Sequence, residues 1–239
     1  MSETLRFAFM LIPCLVIAIV FHEVAHGWAA LALGDPTAKE RRRLTLNPIR
    51  HVDPVGTLLV PGALALFGGP VFGWAKPVPI NFARLRWPRL GMMLVAAAGP
   101  ATNVLLAALG AVALGLTAPA TGTLALSGMG VPTFYDLDGS IHLLASGLML
   151  FILINTLLAL FNLLPIPPFD GSHIVEGMLP RTWAAQYAKL RNLGMLLFIA
   201  LIAATWAFPD AGIISRVIGP PVDWAVRQFI ALAALVAAA

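Results

Sequence analysis

The sequence predicts an all-α polytopic membrane protein with about four or five transmembrane helices and a short re-entrant segment that resembles a β-hairpin. Of its 239 residues, 59% are hydrophobic and only 11% are charged, whereas soluble domains carry about 25% charged residues. Apolar runs long enough to cross a bilayer alternate with basic connections. We expect one integral membrane domain over residues 1–239, with a core at about 5–175 and additional C-terminal helices at 190–239.

Four apolar runs approach the ~20 residues that a helix needs to cross the hydrocarbon core. Their approximate bounds are Leu5–Leu33, Leu90–Leu116, Ile141–Leu164 and Leu193–Phe208. The sequence Gly34-Asp35-Pro36 ends the first run with helix-breaking chemistry. The Ala-rich tail, Val222–Ala239, carries Asp223 and Arg227 and fits either a fifth span or an interfacial helix. Of these two interpretations we favour the span.

Residues 55–80 contain apolar runs that are too short to span a membrane. Turn-forming sequences interrupt them at Pro61-Gly62, Gly68-Gly69-Pro70 and Pro77. Short apolar runs separated by turns predict a hairpin or re-entrant segment. An irregular interfacial loop is the alternative.

The basic residues predict the orientation in the membrane. Nine Lys and Arg residues lie in 34–89 and three in 181–191, out of fifteen in the chain, while residues 117–140 contain none. Because cytoplasmic connections are enriched in Lys and Arg, both basic connections are predicted to be cytoplasmic and the N-terminus outside. We expect a multi-pass protein of the cell (plasma or inner) membrane.

Composition also excludes several classes of protein. The lone Cys14 rules out an intrachain disulfide framework and is expected to pack in the first span. The net charge of +4 is explained by the basic connections, so no nucleic-acid partner is expected. The first apolar run is too long for the hydrophobic region of a cleavable signal peptide.

The pentapeptide His22-Glu23-Val24-Ala25-His26 lies inside the first apolar run. Residues at i and i+4 share one helix face, so both imidazoles can reach a single Zn²⁺ while Glu23 is a candidate general base. A soluble helix with two surface histidines is the alternative, but the flanks are typical of a membrane span. His22 follows Arg6 by 16 residues, about 24 Å along a helix, which predicts a metal near the cytoplasmic side.

A catalytic zinc site needs a third protein ligand and an open position for water. Asp170 has the most favourable context, because Pro165, Pro167 and Pro168 break the helix before it and Gly171 follows it. A mere turn or cap residue is the alternative interpretation of Asp170. Glu176 and His173 are the other candidate ligands.

These motifs together resemble the site-2 protease family of intramembrane zinc metalloproteases. The resemblance covers most of residues 15–175. It rests on HEVAH at 22–26, LNPIRHVDPVGT at 46–57, GWAKPVPIN at 73–81, AGPATN at 98–103 and NLLPIPPFDG at 162–171. We expect no peptide-binding domain between the second and third spans and no nucleotide-sensing domain after the core. The chain is therefore expected to belong to the minimal, core-only branch.

The resemblance implies that His22, His26 and Asp170 ligate one Zn²⁺ per chain and that Glu23 activates the bound water. It also implies that Asn103 and Asn162 hold substrate or polarise the site. Either asparagine could instead hydrogen-bond a neighbouring helix. His51 and His142 are expected to lie outside the metal site.

The predicted function is cleavage of peptide bonds within or near transmembrane segments of membrane proteins. An exposed strand edge in residues 55–80 could capture the unwound substrate by β-augmentation. One alternative is a membrane zincin with a glutamate ligand that cuts at the cytoplasmic surface. Another is a non-catalytic, metal-dependent transporter or regulator, although such a site has no need of an unligated Glu23. The implied partners are transmembrane proteins or peptides and the lipid bilayer; the sequence does not predict an oligomeric state.

Overall fold

A computed structural model of the protein describes residues 3–60, 73–117, 123–128, 131–208 and 212–239. Within them the chain is mostly helical, which confirms the predicted fold class. The α-helices are α1 Glu3–Ala32, α2 Thr37–Glu40, α3 Pro88–Thr117, α4 Leu143–Asn162, α5 Asp170–Met178, α6 Arg181–Tyr187, α7 Gly194–Ala207 and α8 Ile213–Ala237. Short 3₁₀ helices occupy Pro48–His51, Phe82–Arg84 and Ala188–Leu193, and a π-helical turn occupies Pro54–Leu59.

Among the described residues, three helical stretches are long and apolar enough to cross a membrane: Leu5–Ala32, Pro88–Thr117 and Leu143–Asn162. The helices Arg181–Leu193 and Phe198–Thr205, bent by 59°, make a fourth only if they act as one broken span. With 14 residues, α7 rises about 21 Å and is too short by itself. The tail helix α8 contains two prolines and three charged residues and is not among the candidates. Within the described residues the count of candidate spans is three or four, where the sequence predicted about four or five for the whole chain.

The chain divides into two compact units. The first comprises residues 1–18, 103–160 and 220–239. One buried cluster in it joins three helices through Ala111, Leu114, Ala145, Met149, Ile152 and Ala233. A second cluster joins α1 to α4 through Cys14, Ala18, Leu150 and Ile154. Cys14 therefore packs in the apolar interior of this unit, as expected from the sequence.

The first unit also holds a two-stranded antiparallel sheet, with β1 at Thr123–Leu126 and β2 at Pro132–Tyr135. Thr123 faces Tyr135 and Leu126 faces Pro132. These strands lie in the connection that lacks basic residues, not in residues 55–80, where the sequence predicted a hairpin. Residues 55–60 and 73–80 contain no strand. The remainder of that predicted hairpin, residues 61–72, lies outside the described residues.

The second unit comprises residues 19–102 and 161–219. Its buried apolar cluster is formed by Ala30 of α1, by Leu85, which precedes α3, and by Val95 of α3. Across this unit runs an irregular segment, residues 73–81, which we call the strap. The strap has no regular secondary structure. Hydrogen bonds to neighbouring segments hold it in place.

Alternate residues of the strap bond to the body of the second unit. The Trp74 amide donates to the Gly56 carbonyl (3.1 Å) and the Lys76 amide to the His51 carbonyl (2.9 Å). The Arg43 guanidinium donates to the Lys76 carbonyl at 2.7 Å. At its end, the Asn81 amide donates to the fully buried Asp35 carboxylate at 2.6 Å. Alternation with a period of two indicates extended backbone, which the prolines at 77 and 79 also favour.

Candidate metal centre

His22 and His26 lie one turn apart on α1, and each is 7% exposed. Their Nε2 atoms are 3.0 Å apart. The two rings meet edge to face, with centroids 4.6 Å apart. The four-residue spacing therefore brings both imidazoles to one point, as the sequence predicted.

Asp170, the first residue of α5, completes this cluster. Its Oδ2 lies 3.2 Å from His22 Nε2 and 3.3 Å from His26 Nε2. Burial alone would raise the pKa of the Asp170 carboxyl, but the two adjoining imidazoles outweigh it and lower the pKa to about 2. Oδ2 is buried, and no residue of the described chain hydrogen-bonds it with good geometry. An ionised oxygen therefore points at the two imidazole nitrogens.

The turn between α4 and α5 places Asp170. Helix α4 ends at Asn162, and the proline-rich stretch that follows carries the chain to Asp170, where α5 begins. The start of α5 lies close against the turn that follows α4, since a Cβ atom at Gly171 would stand 2.5 Å from the Leu164 carbonyl oxygen. Glycine is required there for this approach.

The spacing of the three donor atoms fits a zinc ion. Ligand atoms arranged tetrahedrally at about 2.0–2.1 Å from Zn²⁺ are separated by about 3.3 Å. The observed separations among His22 Nε2, His26 Nε2 and Asp170 Oδ2 are 3.0, 3.2 and 3.3 Å. Two imidazoles and one carboxylate are a donor set that suits zinc and leaves a fourth position open. Among the described residues this is the one group of three or more such side chains that could hold a metal.

Helix α3 lies against the cluster. The Val95 carbonyl is 2.7 Å from His26 Nδ1. A hydrogen bond there fixes the ring and leaves Nε2 as the nitrogen available to a metal. A Cβ atom at Gly99 would stand 2.5 Å from His26 Nε2 and 2.6 Å from His22 Cε1. Gly99 therefore allows the helix backbone to approach both imidazoles.

Glu23 is half-buried beside the two histidines. Its Oε2 accepts a 2.8 Å hydrogen bond from the Val78 amide of the strap. The Val78 side chain is itself 5% exposed. The strap thus supplies a backbone donor to the carboxylate that the sequence singled out as general base.

The two asparagines singled out by the sequence have different settings. Asn103, in the first unit, is fully buried and donates from Nδ2 to the Ala18 carbonyl (3.1 Å) and to Asn155 Oδ1 (2.9 Å). Asn103 therefore makes hydrogen bonds between helices, which the sequence offered as the alternative to a role in substrate binding. Asn162, in the second unit, is the half-buried last residue of α4. Their roles towards substrate stay predictions.

The other candidate ligands lie outside this cluster. His173 Nδ1 is 4.0 Å from Glu176 Oε2 on α5. His51 Nε2 contacts the Thr45 carbonyl at 2.8 Å, and His142 Nδ1 accepts from the Ala145 amide at the start of α4. The sequence did not single out the Val78 amide, the Val95 carbonyl or Asn155. The first two are backbone groups, which leave no signal in side-chain identity.

Comparison with known proteins gives a consistent result. The model of peptidase family M50 matches residues 10–205. A Bacillus subtilis (strain 168) protein named "Putative zinc metalloprotease YwhC" is 38% identical over 223 residues, which cover 89% of this chain and 93% of that protein. A Mycolicibacterium smegmatis protein named "Putative zinc metalloprotease Rip2" is 27% identical over 188 residues, 78% of this chain and 64% of that protein. No solved structure matches significantly. The chain therefore belongs to peptidase family M50, the site-2 protease family that its motifs resemble.

Proposed function

We propose that this multi-pass membrane protein is an intramembrane zinc endopeptidase that cleaves peptide bonds within or near transmembrane segments of other proteins. The observation that carries the proposal is the convergence of His22 Nε2, His26 Nε2 and Asp170 Oδ2 at tetrahedral spacing beside Glu23. Family membership and two relatives named as zinc metalloproteases support the same activity.

In this proposal His22, His26 and Asp170 hold one zinc ion per chain, and Glu23 is the general base. A bound zinc ion would supply an acidified water and polarise the scissile carbonyl. Glu23 accepts the proton of the attacking water as the new C–O bond forms. It then returns that proton to the leaving nitrogen as the C–N bond breaks, so that a carboxylic acid and an amine result. The Val78 amide keeps the Glu23 carboxylate in one orientation between these two transfers.

We propose an orientation with the N-terminus outside and the metal towards the cytoplasm of a cell (plasma or inner) membrane. The basic connections after α1 and after α4 support it. His22 lies ten residues before the end of α1, about 15 Å along the helix axis. Water therefore reaches the site most directly from the cytoplasmic side. We further propose that residues 1–239 act as one protease domain, because the family match includes parts of both compact units.

The decisive experiment compares the wild-type protein with Glu23→Gln. We expect the variant to keep about one zinc per chain, since three ligands remain, and to lose cleavage. Membrane proteomics of cells carrying either form would then identify substrates as full-length proteins that accumulate only with the variant. Cleavage retained by Glu23→Gln would remove the general base from the proposal. Zinc binding without any accumulating substrate would favour a non-catalytic transporter or regulator.

A further inference from the structure

The second unit contains a cavity of about 560 Å³ that is distinct from the three-ligand cluster. Four segments contribute to its walls: the end of the strap, the first turns of α3, the helix α5, and the stretch from α6 to residue 191. Its charged and polar lining consists of Arg89, Arg181, Arg191, His173 and Glu176. The mechanism proposed above uses none of these side chains.

The cavity has a surplus of positive charge, because three guanidinium groups face one carboxylate. Arg191 Nη2 lies 3.3 Å from Glu176 Oε1. Arg89 Nη2 donates to the Glu176 backbone carbonyl at 3.3 Å, and its buried Nε has no partner among the described residues. Arg181 forms no ion pair within the part of the chain that the structure describes. One carboxylate cannot pair with all three guanidinium groups, so most of their N–H donors have no anionic partner within the described residues.

The cavity adjoins the metal centre. His173 of its wall follows Asp170 by three residues on α5, so the two side chains share one helix face. Burial and the nearby Arg191 guanidinium lower the pKa of His173, which disfavours a positive charge on its imidazole. Ile80, which also lines the cavity, belongs to the strap and follows by two residues the Val78 amide that donates to Glu23. The helix that carries a ligand and the segment that touches the general base thus both border the cavity.

We propose that this cavity binds an acidic side chain of the substrate, in the segment that flanks the scissile bond outside the membrane span. Guanidinium groups bind carboxylates through paired, charge-assisted hydrogen bonds. A Lys or Arg in the same place would meet like charge and be rejected. The inference rests on the proposed function, and it adds a substrate class: transmembrane proteins with Asp or Glu at the membrane boundary on the side of the metal centre.

The test measures binding without cleavage. Full-length Glu23→Gln protein, loaded with zinc, is placed in nanodiscs of neutral lipid. The probes are fluorescent transmembrane peptides of identical apolar sequence with Asp-Asp, Asn-Asn or Lys-Lys next to either end. We expect Asp-Asp at one end to bind about fivefold more tightly than Asn-Asn there, and Lys-Lys correspondingly more weakly, since partly exposed ion pairs contribute up to about 1 kcal/mol.

Two variants and a control test whether the preference for Asp-Asp peptides arises from the arginines of the cavity. Arg181→Glu places an acid in the first turn of α6, where the helix dipole favours it, so the fold should tolerate the change. Arg191→Gln removes a second charge from the cavity without reversing it. Both should abolish the preference for Asp-Asp while zinc content stays normal. Arg50→Glu is the matched control, because Arg50 is an exposed basic residue of the same unit that does not line the cavity.

Equal binding of the three peptides would overturn the proposal, as would an equal loss of preference in Arg50→Glu. If Arg181→Glu abolished binding to phosphatidylglycerol vesicles but left the peptide preference intact, the cavity would be a lipid headgroup site and the proposal would be wrong. Because binding is measured on an inactive variant, failure of the protease hypothesis would show separately, as absence of cleavage by the wild-type chain with the peptide preference retained.

Discussion

The Val78 amide and the Glu23 carboxylate are joined by a 2.8 Å hydrogen bond across 55 residues of sequence. Glu23 lies on α1, within a candidate membrane span, while Val78 lies in the strap. The strap in turn is tied to the same unit through Arg43, His51 and Asp35. The orientation of the proposed general base therefore depends on a segment outside the helix that carries it.

Removal of the Val78 amide should reduce turnover without loss of zinc. In Val78→Pro the carboxylate of Glu23 loses a charge-assisted hydrogen bond, and we expect kcat to fall roughly tenfold or more. Val78→Ala is the control, since it keeps the amide and removes only side-chain packing. Equal kcat in Val78→Pro and Val78→Ala would exclude a positioning role for the amide.

Zinc content should depend on Asp170 and not on His142. Asp170→Ala removes one of three donors, so we expect zinc occupancy of purified protein, measured by inductively coupled plasma mass spectrometry, to fall well below one per chain. His142→Ala changes only a cap at the start of α4. Full occupancy in Asp170→Ala would exclude this residue from the ligand set and direct attention to Glu176 or His173.

A single methyl group at Gly99 should disturb the metal centre. In Gly99→Ala the new Cβ would overlap His26 Nε2 and His22 Cε1, so either the rings or α3 must move. We expect weaker zinc binding, seen as faster loss of zinc to a chelator. Gly147→Ala is a matched control, because it is another glycine within a candidate span and its Cβ would lie 3.9 Å from Met10. Unchanged zinc release in Gly99→Ala would show that the close approach is not needed.

Asn103 should contribute to stability. Asn103→Ala leaves the Ala18 carbonyl and Asn155 Oδ1 without their donor. Interhelical hydrogen bonds in membranes contribute about 0.6–1.7 kcal/mol, so we expect a lower midpoint of thermal unfolding in detergent. A role in substrate binding alone would instead raise KM and leave the unfolding midpoint unchanged.

The orientation can be measured by cysteine labelling after replacement of Cys14. A single cysteine at position 42 or 181 should react with an impermeant reagent only from the cytoplasmic side, and one at position 136 only from outside. The reverse pattern would place the metal near the outer face and contradict the proposed orientation.

The sequence predicted the residues that converge at the site because their chemistry is carried by side chains. A four-residue spacing in an apolar helix and an acid after a proline-rich break were sufficient to single out His22, His26 and Asp170. Contacts made by backbone groups, such as the Val78 amide, could not be read from residue types. The strands β1 and β2 were missed because each has four residues, and one contains a proline. The number of spans is uncertain by one or two from sequence because α7 is short and α8 contains prolines and charged residues.

The strap also has a consequence for encounters between copies of the protein. Its bonded residues, Trp74, Lys76 and Val78, direct their backbone groups to the body of the second unit. In extended backbone the intervening positions face the other way, and two of these are Pro77 and Pro79. Of these positions only Ala75 has an amide to donate, and the Pro77 carbonyl is already within 3.5 Å of Arg43 Nη2. Two straps cannot form a regular ladder with each other, since each offers only one amide donor along this edge. An unwound helix, in contrast, presents amides of its own, so we expect the strap to pair with a chain that has lost its helical hydrogen bonds in preference to a second copy of this protein.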